Sequence, residues 1–515
     1  MRDAVQLITY ADRFGGDLRG LRELLTGPLG GLFGGVHVLP FFRPYDGADA
    51  GFDPADHREV DPRLGTWSDL EALAGDETGS DAEDGGGEPV DLVADLIVNH
   101  VSAESPEFAD VLARGDASPF AGMFLTFSSV FPDGATEEEL LTLYRPRPGL
   151  PFTPMRLGDR RRLVWTTFTP MQVDLDVRSP GARAYLTQVL ELLAAHKVRL
   201  VRVDAVGYAV KTPGTSSFMT PETFAFIAEL TAQARALGLE VLVEVHSYYR
   251  RQVEIARQVD RVYDFALPPL LLHALHSGDV DPLLAWLDVR PANCVTVLDT
   301  HDGIGVVDVG ADPADPVGSP GLLTPAQIHD LVEAVHDASG GTSRLATGAA
   351  ASNVDLYQVN CTYYDALGAD DAKYVLARLL QFFTPGTPQV YYVGLLAGSN
   401  DVDLLRRTGV GRDVNRHHYT LGEIETALER DVVQGLFGAI RLRNTHPAFR
   451  GTFAHGRGDE PGSVWLEWSD GAARARLDAR PGAGVWSVTT TPAGGSPDGA
   501  VRTVSDVRGL AGVAG

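Results

Sequence analysis

Lysine is nearly missing from this 515-residue chain: it stands only at 197, 211 and 373, among 43 basic residues. With 69 acidic residues the formal charge is −26, so neither nucleic acid nor an anionic membrane is expected as a partner. Cysteine is almost as scarce. Cys294 and Cys361 are too few for a disulfide framework, and both lie in apolar segments, which suits a reducing compartment. No apolar run is long enough to span a bilayer, and Met1 leads almost directly into strand-like Ala4–Tyr10 without a charged and apolar leader. A soluble, cytoplasmic protein is expected, as monomer or homodimer.

What is present is alternation. Short β-branched runs at Val5–Thr9, Gly35–Pro40, Leu92–Val98, Val198–Asp204, Leu239–Val245, Arg261–Phe265, Cys294–Leu298 and Gln389–Val393 are separated by helical patterns. Ser179-Pro180 opens one helix, with Leu186, Val189, Leu190 and Leu193 on one face, and Thr220-Pro221 opens another. Eight strands with crossover helices predict an α/β fold, a (β/α)8 TIM barrel. Residues 1–99, 179–303 and 369–447 would form the barrel. Long connections at 100–178 and 304–368 both follow strand C-termini, so both would be loop-rich subdomains over the same face. From 448 to 515 short alternating stretches bounded by Gly and Asp predict a small antiparallel β domain. The Gly- and acid-rich stretch Asp76–Pro89 reads as a solvated loop on the opposite barrel face.

Three of the strands end in acids: Asp204, Glu244 and, in Asp299-Thr300-His301-Asp302, Asp302. One buried acid alone is more often half of a structural ion pair. Three on the same end of a parallel barrel point to glycosyl transfer, which needs an ionised nucleophile and a protonated acid. Arg202 lies two residues before Asp204 and so on the same side of its strand, where its charge favours an ionised carboxylate. Glu244 has Leu242 at that spacing and no such cation. Asn99-His100 ends another strand and joins the same rim.

These segments resemble the α-amylase clan: Asp95–His100, Val201–Asp204, Glu244 and Thr300–Asp302 match its four signature regions. Gln6–Arg13, Asp46–Pro54, Tyr144–Phe152, Glu244–Tyr249, Val262–Leu275 and Ala349–Asn360 are similar, more narrowly, to the sucrose phosphorylase family, over about residues 1–450. The resemblance implies Asp204 as nucleophile, Glu244 as acid/base and Asp302 as transition-state stabiliser. It places Asp49 and Arg412 at the far end of a glucose pocket, Phe52 against the sugar ring, and His100 and His301 on its hydroxyls. Gln172 would touch the fructosyl side and Gln358 would border the acceptor subsite. Phosphate would meet Arg147, Tyr208, His246, Leu356 and Tyr357, with Arg147 in a loop that its flanking prolines stiffen.

The implied substrates are sucrose and inorganic phosphate, with no metal or organic cofactor. Fructose and phosphate use the same space in turn, so the loops carrying Arg147 and Tyr357 are expected to rearrange. The rival readings are phosphorylases of sucrose 6′-phosphate, glucosylglycerol or glucosylglycerate, a hydrolase or transglucosidase acting on sucrose, and a non-catalytic carbohydrate-binding barrel.

Overall fold

The computed structural model describes the chain except residues 48, 76–88, 146–148, 314, 351–357, 492–500 and 513–515. Eight parallel strands close a barrel: β1 Gln6–Thr9, β2 Gly35–Val38, β3 Asp91–Ile97, β4 Val198–Asp204, β5 Glu240–Val243, β6 Arg261–Asp264, β7 Cys294–Thr296 and β8 Thr387–Tyr391. Each pairs with its neighbours in chain order, and β8 closes on β1. All eight predicted strands are there, with ends shifted by a few residues. Most of the acidic stretch Asp76–Pro89 lies outside the described residues.

Local chemistry sets the crossover helices. In α1, Pro180–Ala195, Pro180 occupies the first turn, where its missing N–H is not needed, and the Ser179 hydroxyl accepts from Ala182 N at 3.1 Å. Leu186, Val189, Leu190 and Leu193 are all buried, each contributing about 1.5–3 kcal/mol of apolar burial. Helix α2, Pro221–Ala236, repeats the pattern with Thr220 as its cap.

The two long connections return to the strand ends from which they leave. His100–Ser102, just after β3, pairs antiparallel with Gln172–Asp174, so residues seventy positions apart in sequence share one rim. Ile304–Gly305, after β7, pairs in the same way with Gln358–Val359. The second connection is more helical than expected, with helices at Pro325–Ala338 and Thr342–Ala350.

Five antiparallel strands follow: β9 Thr452–Arg457, β10 Val464–Asp470, β11 Ala473–Arg480, β12 Val485–Thr491 and β13 Arg502–Val504. This predicted β domain docks on helix α3, Asp371–Phe383, where Trp468 Nε1 donates to Phe383 O at 2.7 Å. Both cysteines are buried and unpaired. Among the described residues no helix is long and apolar enough to cross a membrane.

Candidate active site

The inside of the barrel is layered. Leu200 packs with Val93, Leu242, Tyr263, Phe265, Val295 and Val297 in an apolar floor separate from the outer core. Two residues on along β4, Arg202 faces its register partner Asp95 on β3. Arg202 Nη1 donates to Asp95 Oδ1 at 2.6 Å and to Asp204 Oδ1 at 2.7 Å, and His37 Nε2 lies 2.9 Å from the other Asp95 oxygen. Strand alternation therefore does put Arg202 and Asp204 on one side.

Above this layer the strand ends bring the expected acids together. Asp204 is followed by Ala205 in the left-handed region at φ 53°, a strained turn for a residue with a Cβ. That turn aims Ala205 N–H at Glu244 Oε2, 3.3 Å away, and so ties the nucleophile candidate to the acid/base candidate. Asp302 Oδ1 lies 2.7 Å from Arg412 Nη1 and 3.8 Å from Arg416 Nη2, while Arg412 also reaches Asp49 at 3.5 Å. The side chains of Asp204, Glu244, Asp302 and Asp49 keep 12%, 14%, 13% and 17% of their surface open, whereas Asp95 keeps none. The rim acids are reachable; the acid beneath them is not.

Arg202 lowers the Asp204 carboxyl as expected, but burial is the stronger influence. Arg202 does not hold Asp204 at an ordinary acidity. Burial, reinforced by the nearby charges of Glu244 and Asp95, pushes the Asp204 carboxyl well above the usual carboxylate range despite Arg202. One guanidinium nitrogen also serves two carboxylates, Asp204 and the deeper Asp95. Asp302 goes the other way. Burial opposes its charge, but the guanidinium groups of Arg412 and Arg416 outweigh burial and hold it far below the usual range.

The other sugar-side candidates cluster at Asp49. The Phe52 and His301 rings lie parallel, 4.5 Å apart at 9°, and the Arg202 guanidinium is 5.3 Å from the Phe52 centroid. Burial pushes His301 down to about 3 and lowers His100 as well, so both rings are neutral. His100 Nε2 lies 2.9 Å from Phe52 O. Gln172 stands beside Asp49: its Nε2 donates to Asp49 Oδ2 at 2.8 Å and to Phe52 O at 3.2 Å, because the 100–178 connection folds back to the end of β3. Gln172 Oε1, His301 Nδ1 and Tyr10 Oη, buried around this pocket, have no hydrogen-bond partner among the described residues. Buried polar atoms left in this way call for a ligand or water. Gln358 is half-buried on the strand pair beside Gly303, next to Asp302.

Of the phosphate candidates, His246 Nε2 lies 3.8 Å from Glu244 Oε1. Tyr208 is packed among Tyr144, Phe168 and Phe218, and burial, then Tyr144, raise its hydroxyl well above the ordinary value. Arg147, Leu356 and Tyr357 lie outside the described residues. Arg145, at the start of the Arg147 loop, is anchored to Thr167 O at 3.0 Å and Phe168 O at 3.3 Å.

Several residues of the site were not anticipated. Arg416 is fully buried behind Asp302, with its Nε donating to His301 O at 2.8 Å. Lys211 is buried with its ammonium on Asp174 Oδ2 at 2.7 Å, Asn99 Oδ1 at 2.8 Å and Tyr208 O. Its rarity in the sequence was the available signal, since a compact three-donor ammonium fits a cage of three oxygens and a planar guanidinium does not. Among the described residues no group of three or more His, Cys, Asp or Glu is arranged to hold a metal.

Comparison with known proteins agrees with this architecture. Residues 8–258 match the family described as Alpha amylase, catalytic domain. The chain is 57% identical to a sucrose phosphorylase of Agrobacterium vitis, over 93% of this chain and 95% of that one. It is 52% identical to a sucrose phosphorylase of Bifidobacterium adolescentis, over 96% and 95%. The crystal structure of sucrose 6F-phosphate phosphorylase from Thermoanaerobacter thermosaccharolyticum superposes with a TM-score of 0.86 at 36% identity, covering 98% of each chain.

Proposed function

The chain belongs to the sucrose phosphorylase family within the α-amylase clan, and from that premise we propose that it converts sucrose and inorganic phosphate to α-D-glucose 1-phosphate and fructose with retention. The observation that carries the chemistry is the partly open rim on which Asp204, Glu244 and Asp302 meet at the ends of β4, β5 and β7. Asp204 attacks the anomeric carbon from the barrel side, and the bond to fructose breaks as Glu244 gives its proton to the departing oxygen. For this step the proton that burial favours on Asp204 must lie on Glu244, and Ala205 N–H holds that carboxyl beside the nucleophile. Asp302, kept ionised by Arg412 and Arg416, faces the positive charge that develops on the sugar.

In the second step a phosphate hydroxyl attacks the glucosyl–Asp204 ester. Its proton returns to Glu244 and Asp204 leaves as a carboxylate, so two inversions give net retention. Asp49, Arg412, Gln172, His100, Phe52 and His301 form the glucose pocket. The Asp49–Arg412 pair closes its far end, which admits one terminal glucose and excludes a longer chain. His246, Tyr208, Gln358, Arg147, Leu356 and Tyr357 are assigned to the acceptor side, where cations and donors must offset the acids for an anion to enter. Two buried free thiols fit a reducing compartment, and we assign the protein to the cytoplasm.

The test is product analysis. Sucrose with inorganic phosphate should give glucose 1-phosphate, and without it only slow glucose release. Equal glucose release in both cases makes the protein a hydrolase. Faster turnover of sucrose 6′-phosphate, glucosylglycerol or glucosylglycerate than of sucrose moves it to a neighbouring specificity.

A further inference from the structure

Asp308 belongs to none of the residue sets assigned above. It sits in the short 3-10 turn Val307–Val309, fully buried, in an otherwise apolar stretch of the 304–368 connection. Its Oδ2 is 2.8 Å from His246 Nδ1, while its Oδ1 accepts from Ser247 N at 3.0 Å and Gln252 Nε2 at 2.9 Å. A carboxylate with three such neighbours is satisfied as an ion. It places a proton on His246 Nδ1, which turns Nε2 toward Glu244, 3.8 Å away. Phe265 stacks on the imidazole at 3.8 Å and 16° and holds the plane of the ring. Gly305 makes room for the pair: a Cβ there would lie 2.4 Å from Asp308 Oδ2 and 3.0 Å from His246 Nδ1.

The histidines of this one site are therefore of two kinds. His100 and His301, at the sugar end, are neutral because burial lowers them. Burial also opposes a charge on His246, but Asp308 and, less strongly, Glu244 and Asp302 outweigh it and raise His246 above its ordinary value. Among the described residues those three carboxylates face it, from the 3-10 turn, from its own strand end and from the rim after β7. After fructose has left, Glu244 is deprotonated and the incoming phosphate must settle among carboxylates. An imidazolium whose Nε2–H faces that place would offset the repulsion and donate to the anion, whereas water needs neither.

We propose that Asp308 is a positioning residue that aims His246 at the acceptor side of Glu244 and holds it as a cation, so that the glucosyl-enzyme is taken by phosphate rather than by water. This rests on the phosphorolysis reading above. The readout is the ratio of glucose 1-phosphate to glucose formed from sucrose at fixed inorganic phosphate, which reports on the second step alone.

For the full-length Asp308→Asn variant, whose fold is checked by thermal melting, this ratio should fall about tenfold or more near pH 7.5, the scale of one lost charge-assisted hydrogen bond. The deficit should shrink as pH falls, because protonation from solvent then restores the imidazolium that Asp308 otherwise maintains. Gly305→Ala, which wedges the pair apart without touching either charge, should shift the ratio the same way. A wild-type-like ratio in both variants, or a deficit independent of pH, overturns the proposal while leaving phosphorolysis intact. A wild-type enzyme indifferent to phosphate overturns the underlying reading and the proposal with it.

Discussion

Lys211 Nζ stands 2.7 Å from Asp174 Oδ2, and neither side chain meets solvent. The pair fastens the 100–178 connection to the end of β3 and, through Tyr208 O, to the turn after the nucleophile candidate. Thr167 adds two donors to the same carboxylate, from N at 2.9 Å and Oγ1 at 2.5 Å. Removing one partner of a buried, hydrogen-bonded pair strands the other charge, at a cost of about 3–5 kcal/mol. Lys211→Met should lower the urea midpoint accordingly, and Lys211→Arg should not restore it, because a planar fork cannot reach three converging oxygens. A midpoint unchanged in Lys211→Met would show that the cage contributes no net stability.

The division of labour between two acids can be tested with the leaving group. Asp204→Asn removes the nucleophile and should cost about 10⁴-fold or more in turnover whatever the substrate. Glu244→Gln should lose a comparable factor on sucrose but recover most of its first step on α-glucosyl fluoride, whose leaving group needs no proton. Burst measurements with both substrates check this. Recovery of Asp204→Asn by the fluoride instead would reverse the two roles.

Arg412 touches Asp302 more closely than Asp49, at 2.7 Å against 3.5 Å. In the proposed site it therefore serves both the closed end of the pocket and the charge state of Asp302. Arg412→Ala should reduce kcat/KM for sucrose by about 10²-fold with a loss in kcat as well as in binding, because the fixed ion pair acts on the developing charge. Steady-state kinetics decide: a rise in KM alone would confine Arg412 to holding the sugar.

Acid should destabilise the fold for a reason that can be dated to particular groups. Burial pushes His57 and His301 from 6.5 down to about 3. The unfolded chain takes up these protons first, so the stability they permit is complete above about pH 6.5 and declines as pH falls toward their folded values. Each contributes a slope of about 1.4 kcal/mol per pH unit. Asp53, raised from 3.8 to about 6 by burial and by Asp49, acts in the opposite sense. Its protonated folded form stabilises at low pH and that contribution is lost as pH rises through 6, so between its two values it cancels one histidine. Asp204, raised by burial, opposes the histidines in the same way, so their contribution is read as a difference: His57→Gln should flatten the fall of the urea midpoint below about pH 6.5 relative to the unaltered protein. A pH profile unchanged in that variant would mean that the His57 ring is not held neutral.

The barrel was legible because its strands are short, β-branched and regularly separated, and because their terminal acids announce the functional face. Arg202 and Asp204 could be placed on one side from strand alternation alone. Their electrostatic balance could not, since it depends on Asp95, more than a hundred residues earlier, facing the same guanidinium. That Gln172 stands beside Asp49 could not be read for a similar reason: nothing local says where a seventy-residue connection comes back. Asp308 left a trace that went unread, an acid inside an apolar stretch, the usual mark of a buried charge with a partner.

The guanidinium groups that face Asp302 come from Arg412 and Arg416, beyond β8, the last strand to join the barrel. A nascent polypeptide released as far as Asp302, just past β7, already carries every acid of the rim, yet none of this counter-charge. Competence to handle sugar thus arrives with closure of the cylinder, and premature fragments that contain Asp204, Glu244 and Asp302 would be inert.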